Sequence, residues 1–175
     1  VNAPGFLSFS AFKLEQLCSR IGVCLDRMSE EQFWTRPGPG LNSPGNLCLH
    51  LAGNVRQWIL HGIGGQPDTR HRDAEFAAEA AQTKSEVWQV LHRTVEESAA
   101  LIRKLPQPRL EEIVRPQNYE VTVLEAIYHV VEHFAQHTGQ IILLTRQYTQ
   151  ADLGFYRHLS NTRHPGPPPV DERLP

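Results

Sequence analysis

His129, His133 and His137 recur every four residues inside the apolar stretch Tyr128-His-Val-Val-Glu-His-Phe-Ala-Gln-His-Thr-Gly-Gln140. On an α-helix four residues advance about 400°, so each imidazole falls only about 40° round from the last and all three share one face. Imidazoles on a shared face suit a divalent metal. Neighbouring members of the row have Cβ atoms about 5–6 Å apart, close enough for two rings to meet one ion at Zn–N distances of about 2.0–2.1 Å. The outer two lie about 12 Å apart along the axis, which strains their reach. One helix therefore supplies two ligands comfortably, and a third must come from another element.

Among the six other histidines, His50 is the best third ligand, because it lies between Leu49 and Leu51 in an inward-facing helical stretch. His61 is about 16 Å further along by helical rise and cannot share its ion. His71, His158 and His164 lie in polar or Pro-rich contexts that suit the surface, and His92 is expected to face outward. The competing reading is a set of core histidines without a metal. It requires every buried ring nitrogen to find a hydrogen-bond partner, since an unpaired one is costly. Other architectures are excluded by the letters. No Glu is followed by His three positions on, as a carboxylate-bridged di-iron bundle requires, and H-E-x-x-H, G-x-G-x-x-G, Walker and G-x-S-x-G motifs are absent. What remains is a mononuclear three-His site with open positions.

The elements that must position these residues are helices. Leu14, Leu17, Cys18, Ile21, Cys24, Leu25 and Met28 follow the i, i+3, i+4, i+7 pattern and predict a helix over about 8–28. Ser43 and Pro44 form an N-cap and first-turn pair that opens a helix over about 44–62, stopped by Gly62 and the Gly64-Gly65 pair. A short helix is expected around Ala74–Ala81. Thr83-Lys-Ser-Glu86 is a capping box opening a helix that ends before Pro106, and Thr122-Val-Leu-Glu125 opens the histidine helix, which runs to about Thr149. Gly139 within it costs about 1 kcal/mol of propensity relative to Ala, so a close approach of backbone or ligand is expected there. The stretch Glu112-Ile-Val-Arg115 alone looks strand-like, and no strand is needed to explain any segment.

Four long helices in 175 residues predict an all-α antiparallel four-helix bundle over residues 1–158, the architecture that holds metal sites between facing helices. Residues 159–175 read as a Pro-rich tail. Hydrophobic residues at 40% and charged residues at 21% fit a folded globular chain. A net charge of −2 gives no basic footprint, so no nucleic-acid partner is expected. No apolar run approaches a membrane span and no signal peptide is visible. Cys18, Cys24 and Cys48, odd in number and without C-x-x-C spacing, read as reduced core thiols of a cytoplasmic protein.

Asn46-Leu-Cys-Leu-His50-Leu-Ala-Gly-Asn54 followed by Trp58, together with His129-Val-Val-Glu-His133-Phe-Ala-Gln-His137-Thr-Gly-Gln-Ile141, resembles the paired signatures of the DinB-like (DNA-damage-inducible protein B) superfamily. The resemblance covers most of residues 8–150. It implies a DinB-like bundle in which one His of the second helix and the two of the final H-x-x-x-H are the ligands: His50, His133 and His137. His129 would then line the pocket, with Asn54 and Gln140 as further pocket candidates from their helical faces. Characterised relatives include metal-dependent thiol transferases acting with bacillithiol or mycothiol, which implies a small-molecule substrate, a low-molecular-weight thiol, and a homodimer. Zinc or nickel is the expected divalent ion, imidazole suiting both.

An open coordination position would let the ion lower the pKa of bound water or of a thiol. A metal-dependent thiol transferase or hydrolase is therefore expected. The alternative is a non-catalytic metal- or ligand-binding bundle, supported by the lack of any evident nucleophile or general base near the histidines. Glu125, one turn before His129, either orients that ring or serves only its capping box.

Overall fold

The computed structural model describes residues 2–157. The expected Pro-rich tail, with His164, and the preceding His158 lie outside the described residues. Six helices form: α1 (Ala3–Arg27), α2 (Glu30–Trp34), α3 (Pro44–Val55), α4 (Arg72–Ala77), α5 (Lys84–Lys104) and α6 (Val123–Thr149). The chain is all-α in character, and four of the helices are the long ones of a bundle.

Local chemistry sets most of the boundaries. Reciprocal capping boxes start α3 at Ser43 and Asn46, α5 at Thr83 and Glu86, and α6 at Thr122 and Glu125. Each satisfies two backbone or side-chain donors that a helix start would otherwise leave open. The first helix begins earlier than its apolar stripe predicts, because Asn2 Oδ1 accepts from Gly5 N at 3.2 Å and Pro4 sits in the first turn, where no intrahelical N–H is needed. The short α2, with its own Ser29–Gln32 capping box, was not expected; five residues are too few to show a period. The second long helix runs on past Val55 as a π-helical segment, Arg56–Ile63, before Gly64 and Gly65 end it.

Two expectations are corrected. The strand-like stretch Glu112-Ile-Val-Arg115 does hold a strand, β1 (Ile113–Val114), which pairs antiparallel with β2 (Val121–Thr122) just before α6, so a strand is needed there after all. The pair closes the turn that carries Gln117 and Asn118, both at positive φ (50° and 65°). Gly139 is exposed, and a β-carbon placed there would meet nothing within 4 Å, so no close approach requires it.

The long helices form a ring. Helix α1 packs on α5 and α6, and α3 packs on the same two, so α1 and α3 are diagonal, as are α5 and α6. Arg103 of α5 pairs with Glu15 of α1 while Lys84 Nζ donates to Leu25 O, so these two run antiparallel. Trp58 lies against His129 and His50 against His137, which makes the α3 to α6 pair antiparallel as well. Helices α1 and α6 are parallel: Thr145 of α6 meets Met28 near the end of α1, and both start near the turn at Gln107–Glu111. The long connections through α2 and α4 allow these mixed directions. Fully buried Leu14, Ile21, Leu51, Ile59, Leu91, Ile127 and Phe134 fill the centre. Among the described residues no helix is long and apolar enough to cross a membrane.

Cys18, Cys24 and Cys48 are free and buried. Burial, joined by the charge of Glu96, pushes the Cys18 thiol up to about 12. Burial likewise raises the other two. Thiolate is the reactive form, so Ellman's reagent at pH 8 should detect none of the three thiols in the folded protein during the minutes in which the denatured chain reports all three. A native thiol reacting as fast as free cysteine would contradict this packing.

Candidate metal centre

The antiparallel contact of α3 with α6 brings His50, His133 and His137 together, with one ligand atom from each within 4.8 Å of the others. His133 Nε2 is 3.1 Å from His50 Nε2 and 3.1 Å from His137 Nε2. The edge of a tetrahedron around zinc, at Zn–N of about 2.0–2.1 Å, is about 3.3 Å. Two of the three ligand pairs therefore have the spacing of a coordination sphere, and the third pair lies within 4.8 Å. Without an ion, lone pairs facing one another at this distance repel unless protons bridge them, whereas one cation at their centre satisfies all three. The residues fit a divalent metal and could hold one.

Two rings are held from behind. His50 Nδ1 lies 3.0 Å from Glu75 Oε2. Because a carboxylate only accepts, Nδ1 carries the proton and Nε2 presents its lone pair to the centre. Arg70 Nη2 is 3.1 Å from the same Nδ1, but a guanidinium cannot accept; it donates instead to Glu75 Oε2 at 2.9 Å, while Nε donates to Oε1 at 2.7 Å. On the other side, Gln140 Oε1 is 2.6 Å from His137 Nδ1 and fixes the same tautomer there. Gln140 thus acts on a ring rather than on the neighbouring cavity.

Burial, reinforced by His137, His50, His129 and Arg70, pushes His133 down to about 3. Burial also lowers His137, against the opposing bond from Gln140, and lowers His129. These rings are neutral at pH 7, the form that binds a metal. Burial alone would raise the Glu75 carboxyl, but hydrogen bonds and charge from Arg70 and His50 outweigh it, and the net shift is downward. Glu75 is thus an anion behind His50.

A cavity of about 520 Å³ opens beside His50 and His133, walled by Asn54, Trp58, Tyr119 and His129, with Gln117 and Glu125 also on its lining. His129 does not join the three; its ring lies 4.1 Å from Trp58 and 5.7 Å from His133, forming a wall. Glu125 accepts from Thr122 N and Oγ1 at 2.8 Å each, the capping role. The π-helical turns of Arg56–Ile63 carry Trp58, an instance of their frequent use beside functional sites. A second cavity of about 510 Å³ lies between α3, α4 and α5 on the far side of Arg70 and Glu75. None of the three histidines reaches it.

Sequence reasoning missed Glu75, Arg70, Gln57 and Gln117. Gln117 Nε2 donates to Gln57 Oε1 at 2.7 Å, and Arg70 Nη1 donates to the same oxygen at 3.0 Å. A chain of bonds thus runs from the cavity wall to His50. Helix α4 is held in place by Asn46, whose Nδ2 donates to Glu75 O and Ala78 O at 3.0 and 2.8 Å. Gly53 leaves room for the pair: a β-carbon there would collide with Glu75 Oε1 and lie 3.0 Å from Arg70 Nε. The polar, aperiodic stretch around residue 75 carried no signal of this; only the general need of a ligating His for an acceptor points toward a carboxylate.

A family model described as mycothiol-S-transferase matches residues 12–150. The chain belongs to the mycothiol-S-transferase family. Three solved structures share the fold of this mycothiol-S-transferase family chain. A conserved protein from Enterococcus faecalis aligns at TM-score 0.65 and 18% identity, over 79% of this chain and 94% of its own. A DinB-like protein from Bacillus cereus aligns at 0.64 and 16%, over 82% and 91%. A DinB-like protein from Bacillus subtilis aligns at 0.59 and 15%, over 89% and 98%. No curated protein matches the chain. The family match bears out the resemblance to the DinB-like superfamily, and these neighbours show the same helical fold.

Removing the charge behind His50 should loosen the centre. Glu75→Gln is expected to weaken zinc binding about 10–100-fold, read by competition with a chromophoric chelator, while the helical circular dichroism stays unchanged.

Proposed function

We propose that this protein is a metal-dependent transferase that joins a low-molecular-weight thiol, of the mycothiol or bacillithiol class, to an electrophile, with His50, His133 and His137 as the ligands. The observation that carries the reading is the 3.1 Å convergence of imidazole Nε2 atoms at the edge of the cavity. Membership of the mycothiol-S-transferase family supports the thiol as substrate. A divalent ion, zinc or nickel by the nitrogen donors, would supply Lewis acidity that favours thiolate over thiol at neutral pH.

The chain's own residues do the rest. The thiol enters the cavity beside His50 and His133, against the Trp58 and Tyr119 rings, which lie 5.9 Å apart. Polar groups on the same lining, Gln117, Arg72 and Glu125, suit a polar thiol better than an apolar one. Buried Trp58 and the His129 ring tilted against it make the apolar side of this wall. In the transfer the S–H proton passes to water, a sulfur–carbon bond forms at the electrophile, and the bond to its leaving group breaks with the electron pair going to that group. The balance is thiol plus R–X giving thioether plus HX. No other oxidant or reductant is needed. The buried, reduced cysteines take no part and fit a cytoplasmic setting.

Protein purified without an affinity tag should carry close to one equivalent of divalent metal by elemental analysis. It should conjugate a chromogenic electrophile to mycothiol or bacillithiol, and His133→Ala should keep its fold while losing the metal and at least about 100-fold of the turnover. Stoichiometric metal with no turnover across thiols and electrophiles would instead favour the non-catalytic binding bundle.

A further inference from the structure

Two of the three rings have their outer nitrogen held, His50 by Glu75 and His137 by Gln140. The third does not. His133 Nδ1 is buried and has no hydrogen-bond partner. With Nε2 turned to an ion, Nδ1 must carry the proton and needs an acceptor.

Among the described residues, four buried side-chain atoms lack a partner: Asn54 Oδ1, Trp58 Nε1, Ser98 Oγ and His133 Nδ1. Trp58 Nε1 is only a donor and cannot serve another donor. Ser98 is on α5, diagonal to α6 across the bundle. Asn54 Oδ1 is an acceptor with two lone pairs, on a side chain only 3% exposed. The helix register places it at the right level. His50 lies 4.9 Å from His133 and Trp58 lies 4.1 Å from His129, ring to ring. Asn54 is one turn from both His50 and Trp58, and so it falls between the levels of His129 and His133 on the facing helix. Asn54 and His133 also line the same cavity.

We propose that Asn54 is a positioning residue for the metal centre, its Oδ1 accepting the Nδ1–H of His133 when the ion is bound. The inference rests on the metal reading above. It gives each of the three rings its own acceptor, a carboxylate from α4, an amide from α6 and an amide from α3. The second lone pair of Asn54 Oδ1 stays available to Trp58 Nε1, four residues on.

The test compares wild type, Asn54→Leu and Asn54→Asp by chelator competition for zinc, and records imidazole proton–nitrogen NMR spectra of the zinc-loaded proteins. Asn54→Leu should bind zinc about 10–100-fold more weakly and lose the exchange-protected His133 Nδ1–H signal, with those of His50 and His137 retained. Asn54→Asp, which keeps the acceptor, should hold both the affinity and the signal. Should Asn54→Leu not fold, Asn54→Ser, whose oxygen sits one bond nearer its own backbone, is expected to give the same loss. A wild type that binds one zinc, with leucine or serine variants binding within about threefold of it or keeping the protected His133 signal, overturns this inference alone. A wild type that takes up no zinc overturns the metal reading beneath it.

Discussion

An imidazole offers a metal one lone pair, and that lone pair faces a fixed point only while the opposite ring nitrogen is held by an acceptor. The arrangement around His50, His133 and His137 follows from that constraint. Bringing the Nε2 atoms of His50 and His137 each to 3.1 Å from that of His133 is unfavourable without an ion or a bridging proton, and the fold sustains it by holding rings from outside. Glu75 and Gln140 do so directly. The neutrality of His133 and His137, set first by burial, is the electrostatic side of the same requirement.

Supporting parts reach well beyond the two helices that carry the histidines. Helix α4 contributes no bundle contact of consequence to α6, yet it delivers Glu75 because Asn46 and Arg36 grip its carbonyls. Buried Arg70 then balances the carboxylate, so the anion behind His50 is not left uncompensated in a region where unpaired charge is costly. Gly53 allows this pair to sit against α3. Through Gln57 the same network touches Gln117, held at φ 50° in the turn that β1 and β2 close. The wall of the cavity and the orientation of the His50 ring are therefore parts of one hydrogen-bonded structure.

Helices were legible wherever a local rule fixed them. The capping boxes at Thr83 and Thr122 and the Ser43-Pro44 start give the boundaries of α5, α6 and α3 within a residue or so, because capping is chemistry between neighbours. The stripe of Leu14 to Met28 marked α1 but not its first turn, where Asn2 and Pro4 act as a cap and an entry rather than as breakers. Gly139 looked like a site of close approach and is an exposed residue in open space. Short elements, α2 and β2, carry too few residues for any periodicity to show, and β1 showed only as the strand-like Glu112-Ile-Val-Arg115 stretch.

The histidine spacing and the inward face of the second helix were enough to nominate His50 and the row on α6 as candidate ligands, since four-residue spacing fixes which side chains share a face whatever surrounds them. Helical reach divided the row into a pair and a neighbour, and the resemblance to the DinB-like superfamily, not the spacing, made His129 the neighbour. It could not supply the acceptors from other segments. Glu75 is 25 residues from His50 and Gln117 is 60 from Gln57, and no periodic pattern links partners on different segments of the chain. Which carboxylate stands behind a ring, which side chains wall the cavity, and which helix pairs run parallel depend on how the connections fold back. Those are long-range choices, made by packing, and only the tertiary structure makes them.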